Sequence, residues 1–331
     1  MPAVAGDRST RDTVAQRAPL AGVLLIAAGA SLWGLDALLR KPLTNEWSPY
    51  TIVLYEHAIL TLAVAPILIR YRAQIRRLTR AGWASAIVIG WGGSALATLL
   101  ITLAFAIGYA NPDVILLLQK TQPLWAIAAA ALVLGERPRR EMAWLLVPAA
   151  IGTYLLSFGL KSPSEVASGG HLRPVLYSLA AAALWGSATA FGRRGLREVD
   201  PNVLMALRFS LALPFLAVIA ATEHAMLPAH HAVAGDWLRL PLLALGSGLV
   251  AMMLYYRGLR TTPAPLATIA ELAFPATALV VNRIAFGTTI NGWQMAGFAV
   301  LWATIALIYR VPVSVPRGRE VAMPPPLPSN A

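Results

Sequence analysis

Residues Pro112–Pro138 read PDVILLLQKTQPLWAIAAAALVLGERP. The stretch is long enough to cross a bilayer, for which a helix needs about 20 apolar residues. Its middle carries Gln119, Lys120, Gln122 and Pro123, where a plain lipid anchor would carry leucine. A second stretch, 264–290, resembles it. Moving Pro123 forward by 152 positions lands on Pro275, and moving Gln119 by the same offset lands on Glu271.

Working outward, 57% of the 331 residues are hydrophobic and 13% are charged, against roughly 25% charged in soluble domains. The composition is that of an integral membrane protein. A net charge of +12 raises nucleic acid as a partner. The basic residues instead cluster between apolar runs, with no basic patch interleaved with stacking aromatics, which excludes that class. The absence of cysteine excludes disulfides, thiolate metal sites and cysteine nucleophiles. Arg outnumbers Lys 24 to 3, which with the abundant Ala points to a GC-rich, bacterial source.

Apolar runs of spanning length fall at about 20–39, 49–69, 83–107, 112–134, 142–159, 174–192, 201–221, 238–256, 264–284 and 291–309. The first is too long for a signal-peptide core. Residues 1–19 read as a cytoplasmic tail and 311–331 as a Pro-rich one, with a periplasmic linker at 161–173. Placing the N-terminus inside puts 19 Arg in inner segments and six Arg or Lys in outer ones, the latter including Arg40 and Lys41. The positive-inside rule then sets both termini in the cytoplasm of a bacterial inner-membrane protein. Trp47, Trp83, Trp144, Trp237 and Trp293 stand at span ends as interface anchors.

Leu32-Trp33-Gly34 recurs as Leu184-Trp185-Gly186, again 152 residues on. Landmarks in separate helices share one offset, so the chain is a repeat, 20–160 and 174–310. With five spans in each half, an odd number, the second half enters the membrane from the opposite face. The expected fold is an all-α membrane protein of ten transmembrane helices arranged as two inverted five-helix repeats, with substrate bound between them near the midplane.

Those motifs carry a resemblance. Leu32-Trp33-Gly34, Leu184-Trp185-Gly186, Ala206-Leu207-Arg208-Phe209, and Gln122-Pro123 followed by Leu134-Gly135-Glu136 are similar to the EamA family of the drug/metabolite transporter superfamily. The resemblance covers about 20–310 and implies a metabolite or drug permease, often an exporter, with no cofactor. Two positions depart from the pattern: Glu56 matches Arg208, and Thr288 matches Glu136. The first of these prevents the substrate from being inherited from the family.

Five charges lie within spans: Asp36, Glu56, Lys120, Arg208 and Glu271. A charge at a helix centre costs about 2.5–3.5 kcal/mol on insertion scales, so the deep ones face a cavity, a partner or a span end. Lys120 and Glu271 each lie about 10–12 Å deep at 1.5 Å per residue, from opposite faces. Lys120 suits an anionic group, and Glu271 an ammonium or a proton. Structural pairing, for example of Lys120 with Glu56, is the competing account. Gln119 shares a helix face with Pro123, and Thr268, Glu271 and Pro275 share another. Each proline frees the carbonyl four residues back, those of Gln119 and Glu271, as further ligands. Glu56 beside His57 could relay protons. Asp36 and Arg40 read as a local i,i+4 pair. Trp33, Trp185 and Tyr255 are candidate cavity aromatics.

His224, His230, His231 and Asp236 read as a solvated loop rather than a metal site, and Gly246-Ser247-Gly248 as packing rather than a nucleophile, since no histidine follows 231. Without a Walker A motif, ATP does not drive the protein directly. The expected function is a secondary or facilitative transporter of small polar or zwitterionic metabolites such as amino acids, with export, the direction the resemblance implies, as the expected one. A lipid flippase or an assembly subunit without solute flux is the alternative. An enzyme is disfavoured, and the oligomeric state, monomer or homodimer, stays open.

Overall fold

The computed structural model describes residues 20–107, 110–133, 140–168, 172–228, 233–259, 270–271 and 273–310. Both tails, Thr268, His230, His231 and the Gly135-Glu136 motif lie outside these residues.

Every regular element among the described residues is helical. The first half runs α1 (Leu20–Gly34), α2 (Asp36–Glu46), α3 (Pro49–Arg70), α4 (Arg72–Arg76), α5 (Arg80–Ile87), a π-helical stretch (Val88–Leu96), α6 (Ala97–Ala106), α7 (Pro112–Leu118), a 3₁₀ turn (Gln119–Thr121), α8 (Gln122–Val133) and α9 (Arg140–Phe158). A short α10 (Pro163–Ser168) follows in the linker. The second half runs α11 (Leu172–Gly195), α12 (Pro201–Thr222), α13 (Ala234–Pro241), a second π-helical stretch (Leu242–Val250), α14 (Ala251–Leu259), α15 (Ala273–Phe286) and α16 (Gly292–Arg310).

Among the described residues, six stretches are long and apolar enough to span a membrane: Leu20–Glu46, Pro49–Arg70, Arg80–Ala106, Leu172–Gly192, Pro201–Thr222 and Ala234–Gly258. Trp144–Phe158, Ala273–Phe286 and Gly292–Leu307 are shorter apolar helices. The segment 112–133 is broken in its middle by the 3₁₀ turn.

Two features correct the sequence-based picture. The first helix does not end near residue 39. It continues through one irregular residue, Leu35, to Glu46, so Arg40 and Lys41 are helical rather than loop residues. Arg40 is only 3% exposed, because it has partners within the bundle. The prolines at 123 and 275 also do not leave free carbonyls. The Gln119 carbonyl accepts the Gln122 N–H, and the Glu271 carbonyl accepts the Phe274 N–H. Each helix tightens by one residue at its break, and the i→i+3 bond reclaims the acceptor that proline releases.

The halves interlock through their first and fourth helices. A Cβ at Gly34 would meet the Phe274 carbonyl oxygen at 2.8 Å and the Ala278 nitrogen at 3.1 Å. A Cβ at Gly186 would meet the Gln122 carbonyl oxygen, the Trp125 Cβ at 2.8 Å and the Ala126 nitrogen at 2.9 Å. Gln122 and Ala126 shifted by 152 are Phe274 and Ala278. Each first helix therefore crosses the fourth helix of the other half at backbone contact, which only glycine permits; small residues drive such approaches in membranes. The second helices, α3 and α12, pack on one another, as do the fifth helices α9 and α16 through Gly152 and Gly297.

Polar links join the helix ends. Asp113, buried at the start of α7, accepts the Asn282 amide at 2.8 Å from α15. Asn111 caps α7 by accepting the Asp113 N–H and donates to the Thr289 carbonyl. Elsewhere Thr79 donates its hydroxyl to Glu198, and the Asp200 N–H reaches the Gln74 amide oxygen. In the linker, Ser162 and Glu165 exchange hydrogen bonds as a capping box at the start of α10. The Ser162 donors hold the Glu165 carboxyl below its ordinary range.

Candidate functional site

The crossings of first and fourth helices leave a central cavity of about 290 Å³. Almost every candidate residue lines it: Trp33, Glu56, His57, Gln119, Lys120, Gln122, Trp185, Tyr255 and Glu271. Pro123 and Pro275 are not on its wall; they set the breaks that turn Gln119, Lys120, Gln122 and Glu271 toward it. The site also contains residues that the sequence reading placed elsewhere or did not single out. Asp36, Arg40, Ser94, Thr98, Thr189, Arg208 and Ser247 line the same cavity. Ser94 and Ser247 stand on the two π-helical stretches, whose glycines admit the wider turn.

Arg40 organises one wall. Its Nε donates to Asp36 Oδ2 at 2.8 Å and its Nη2 to Asp36 Oδ1 at 2.9 Å. Nη1 donates to Glu56 Oε2 at 2.8 Å and to Thr102 Oγ1 at 3.0 Å, and Nη2 also reaches Glu56 Oε1 at 3.1 Å. All five guanidinium N–H groups are thereby used. The expected local Asp36–Arg40 pair is present, as half of a larger cluster that recruits Glu56 from the next helix. Lys120 is therefore not the partner of Glu56.

His57 sits beside this cluster without bonding to Glu56 among the described residues. Its Nδ1 lies 2.9 Å from the Val53 carbonyl, which can only accept, so Nδ1 carries the proton. Nε2, 3.0 Å from Ser94 Oγ, then accepts from that hydroxyl in the neutral ring.

The fourth-helix charges line the same cavity. The Glu271 carboxylate accepts the Tyr255 phenol at 2.6 Å, and the Tyr255 ring lies 5.1 Å from that of Trp33. The Lys120 ammonium sits 4.4 Å from the centroid of the Phe274 ring, a cation–π contact. Lys120 and Glu271 line one cavity and make no direct ion pair among the described residues. Arg208 donates from Nη2 to the Gly93 carbonyl at 2.6 Å.

Membrane-spanning helices in two similar halves, enclosing a polar, aromatic-walled cavity, define a membrane transporter. The model of the EamA-like transporter family matches residues 20–158 and again 172–310. The chain belongs to that family and is a multi-pass membrane protein. The two matched ranges are offset by 152 residues at both ends, the offset read from the landmarks. A riboflavin transporter, ImpX, from Fusobacterium nucleatum subsp. nucleatum is 31% identical over 294 residues, which cover 88% of this chain and 98% of the relative. A solved structure described only as a crystal structure of a protein shares the fold, with a TM-score of 0.58, 19% identity, and 88% of this chain and 98% of that one covered.

Proposed function

We propose that this transporter carries a planar heteroaromatic metabolite of the riboflavin class, bound in the central cavity and exposed to either face as the two repeats rock against each other. The composition of the cavity wall carries the reading. Trp33, Trp185, Tyr255, Tyr256 and Phe274 offer ring faces, and Gln119, Gln122 and Thr189 offer amide and hydroxyl groups at their edges. A flavin presents the complement: a flat tricycle, a dione edge and a polyol chain. The name of the ImpX relative supports the same class.

Charge agrees with a neutral cargo. The cavity wall holds three cations (Arg40, Lys120, Arg208) and three anions (Asp36, Glu56, Glu271). In their ordinary ionised forms they sum to zero. Each net charge moved through the membrane potential would be worth about 2.3 kcal/mol per 100 mV, and a balanced site carrying a neutral flavin avoids that work. Gln119, Lys120, Gln122 and Glu271, with the outlying Thr268, form the polar part of the site, while Trp33, Trp185 and Tyr255 stack the ring. Pro123 and Pro275 are hinges. Coupling, where a proton gradient is used, falls to Glu271, because the oxygens of Glu56 are held by Arg40 and His57 by Val53 and Ser94. Inverted halves, ten spans and cytoplasmic termini in a bacterial inner membrane complete the reading.

A zwitterionic amino acid is the second reading, favoured by an ammonium (Lys120) and a carboxylate (Glu271) that line one cavity without a direct ion pair to each other among the described residues. Flux in proteoliposomes separates the two. Riboflavin flux is expected in the wild type, falling about tenfold or more in Glu271→Gln and in Lys120→Met while both proteins still insert. Amino-acid flux with no riboflavin flux would select the second reading. Wild-type riboflavin flux in both variants would remove the proposed site.

A further inference from the structure

The pseudo-symmetry exposes an imbalance between the halves. Glu56 and Arg208 occupy equivalent positions, 152 residues apart, in the second helix of each half. Around Glu56 the first half supplies Asp36 and Arg40, and the three side chains satisfy one another. The equivalents of Asp36 and Arg40 in the second half are Ala188 and Gly192. The helix register is the same in both halves. Leu43 and Ile52 share one core cluster in the first, and a Cβ at their equivalent Gly195 would lie 3.0 Å from Leu204 in the second. Arg208 thus occupies a position built for a partnered charge, with the partners deleted.

The side chain shows the consequence. One donor of Arg208 is spent, on the Gly93 carbonyl, and no carboxylate pairs with it among the described residues. Its Nε is buried and without a hydrogen-bond partner. A buried donor left unmade is costly, and hydrogen bonds to a charged group are among the stronger ones. A guanidinium fork on a cavity wall is suited to a pair of adjacent acceptors. Ala188 packs against Gly93, leaving little room there, whereas a Cβ at Gly192 would meet nothing within 4 Å.

We propose that Arg208 is the specificity-determining residue that receives the substrate's paired-acceptor edge, the adjacent C4 carbonyl and N5 of a flavin ring, as the counterpart that Ala188 and Gly192 do not provide. This rests on the riboflavin-class reading of the cavity. It gives the two walls different tasks: the Asp36–Arg40–Glu56 wall is closed on itself, and the Arg208 wall is completed by the cargo.

The test is riboflavin binding to the purified, folded protein, read by quenching of the flavin's own fluorescence, with a zwitterionic amino acid tested in parallel by thermal shift. Arg208→Ala is expected to weaken riboflavin binding about tenfold or more, and Arg208→Lys, which keeps the charge and loses the fork, by less. Gly192→Glu supplies an internal carboxylate and is expected to weaken binding about as much as Arg208→Ala, whereas the uncharged Gly192→Gln binds like the wild type. Introducing Gly192→Glu into Arg208→Ala should then cost nothing further. Wild-type riboflavin binding in Arg208→Ala and Gly192→Glu would overturn the inference and leave the riboflavin reading standing. Amino-acid binding that depends on Arg208, with no riboflavin binding, would keep Arg208 as the acceptor-reading residue and reject the flavin. A wild type that binds neither would overturn both.

Discussion

Arg40→Met is expected to cost about 3–5 kcal/mol of stability, the usual consequence of breaking a buried ion cluster by removing one member. The loss follows from what remains. Asp36 and Glu56 would stand as two carboxylates with no cation beside them, and Thr102 would lose its donor. Lysine is a poor substitute, because three donors on a point charge cannot serve three partners placed around a planar fork. Arg40→Lys should therefore fall between wild type and Arg40→Met in a denaturant or thermal melt of the solubilised protein. The triple change Asp36→Leu, Arg40→Met, Glu56→Leu should recover much of the loss, since replacing a whole buried cluster with apolar groups is often nearly neutral. A triple variant as unstable as Arg40→Met would mean that the cluster's charges are not the source of the effect.

The second large effect lies at the crossings. Gly34→Leu and Gly186→Leu should each abolish assembly of the native bundle, because a side chain there runs into the backbone of the opposing fourth helix. Even alanine should cost about 1–3 kcal/mol, as overpacking does in a close-packed interior. Gly292→Ala is the control, since a Cβ there meets nothing within 4 Å. The two crossings are equivalent, so their alanine variants should lower the melting temperature by similar amounts. A large effect at one and none at the other would show that the halves do not share the interlock.

The repeat could be read from sequence because its markers are residues that apolar spans do not tolerate by chance at fixed spacing. Pro123 and Pro275, Gln119 and Glu271, and the two Trp-Gly pairs stand out against leucine and alanine. The same property made the cavity residues readable, since polar groups in a span need a reason to be there. Arg40 was misplaced because an arginine after an apolar run looks the same whether the helix ends or continues. Its true position depends on Glu56, 16 residues away, and on Thr102, which local spacing does not reveal. Asp113 was absent from the intramembrane charges for a related reason: it opens its helix, and its partner Asn282 lies in the other half. The free carbonyls expected at the prolines were wrong because proline removes a donor but does not prevent the next turn from tightening. The π-helical stretches left no distinct mark, as glycines in a span serve packing as readily as a widened turn.

Riboflavin binding in the cavity between the repeats is tested most directly by thiol protection. The chain has no cysteine, so single-cysteine probes need no background changes. Thr189→Cys places a thiol on the cavity wall, and Ser164→Cys places one on the exposed linker helix. Alkylation of each is measured with and without saturating riboflavin. Riboflavin is expected to slow alkylation at position 189 about tenfold while leaving position 164 unchanged, as a bound ligand excludes reagent from its pocket. Equal rates at position 189 with and without riboflavin, in protein shown to bind it, would place the ligand outside this cavity.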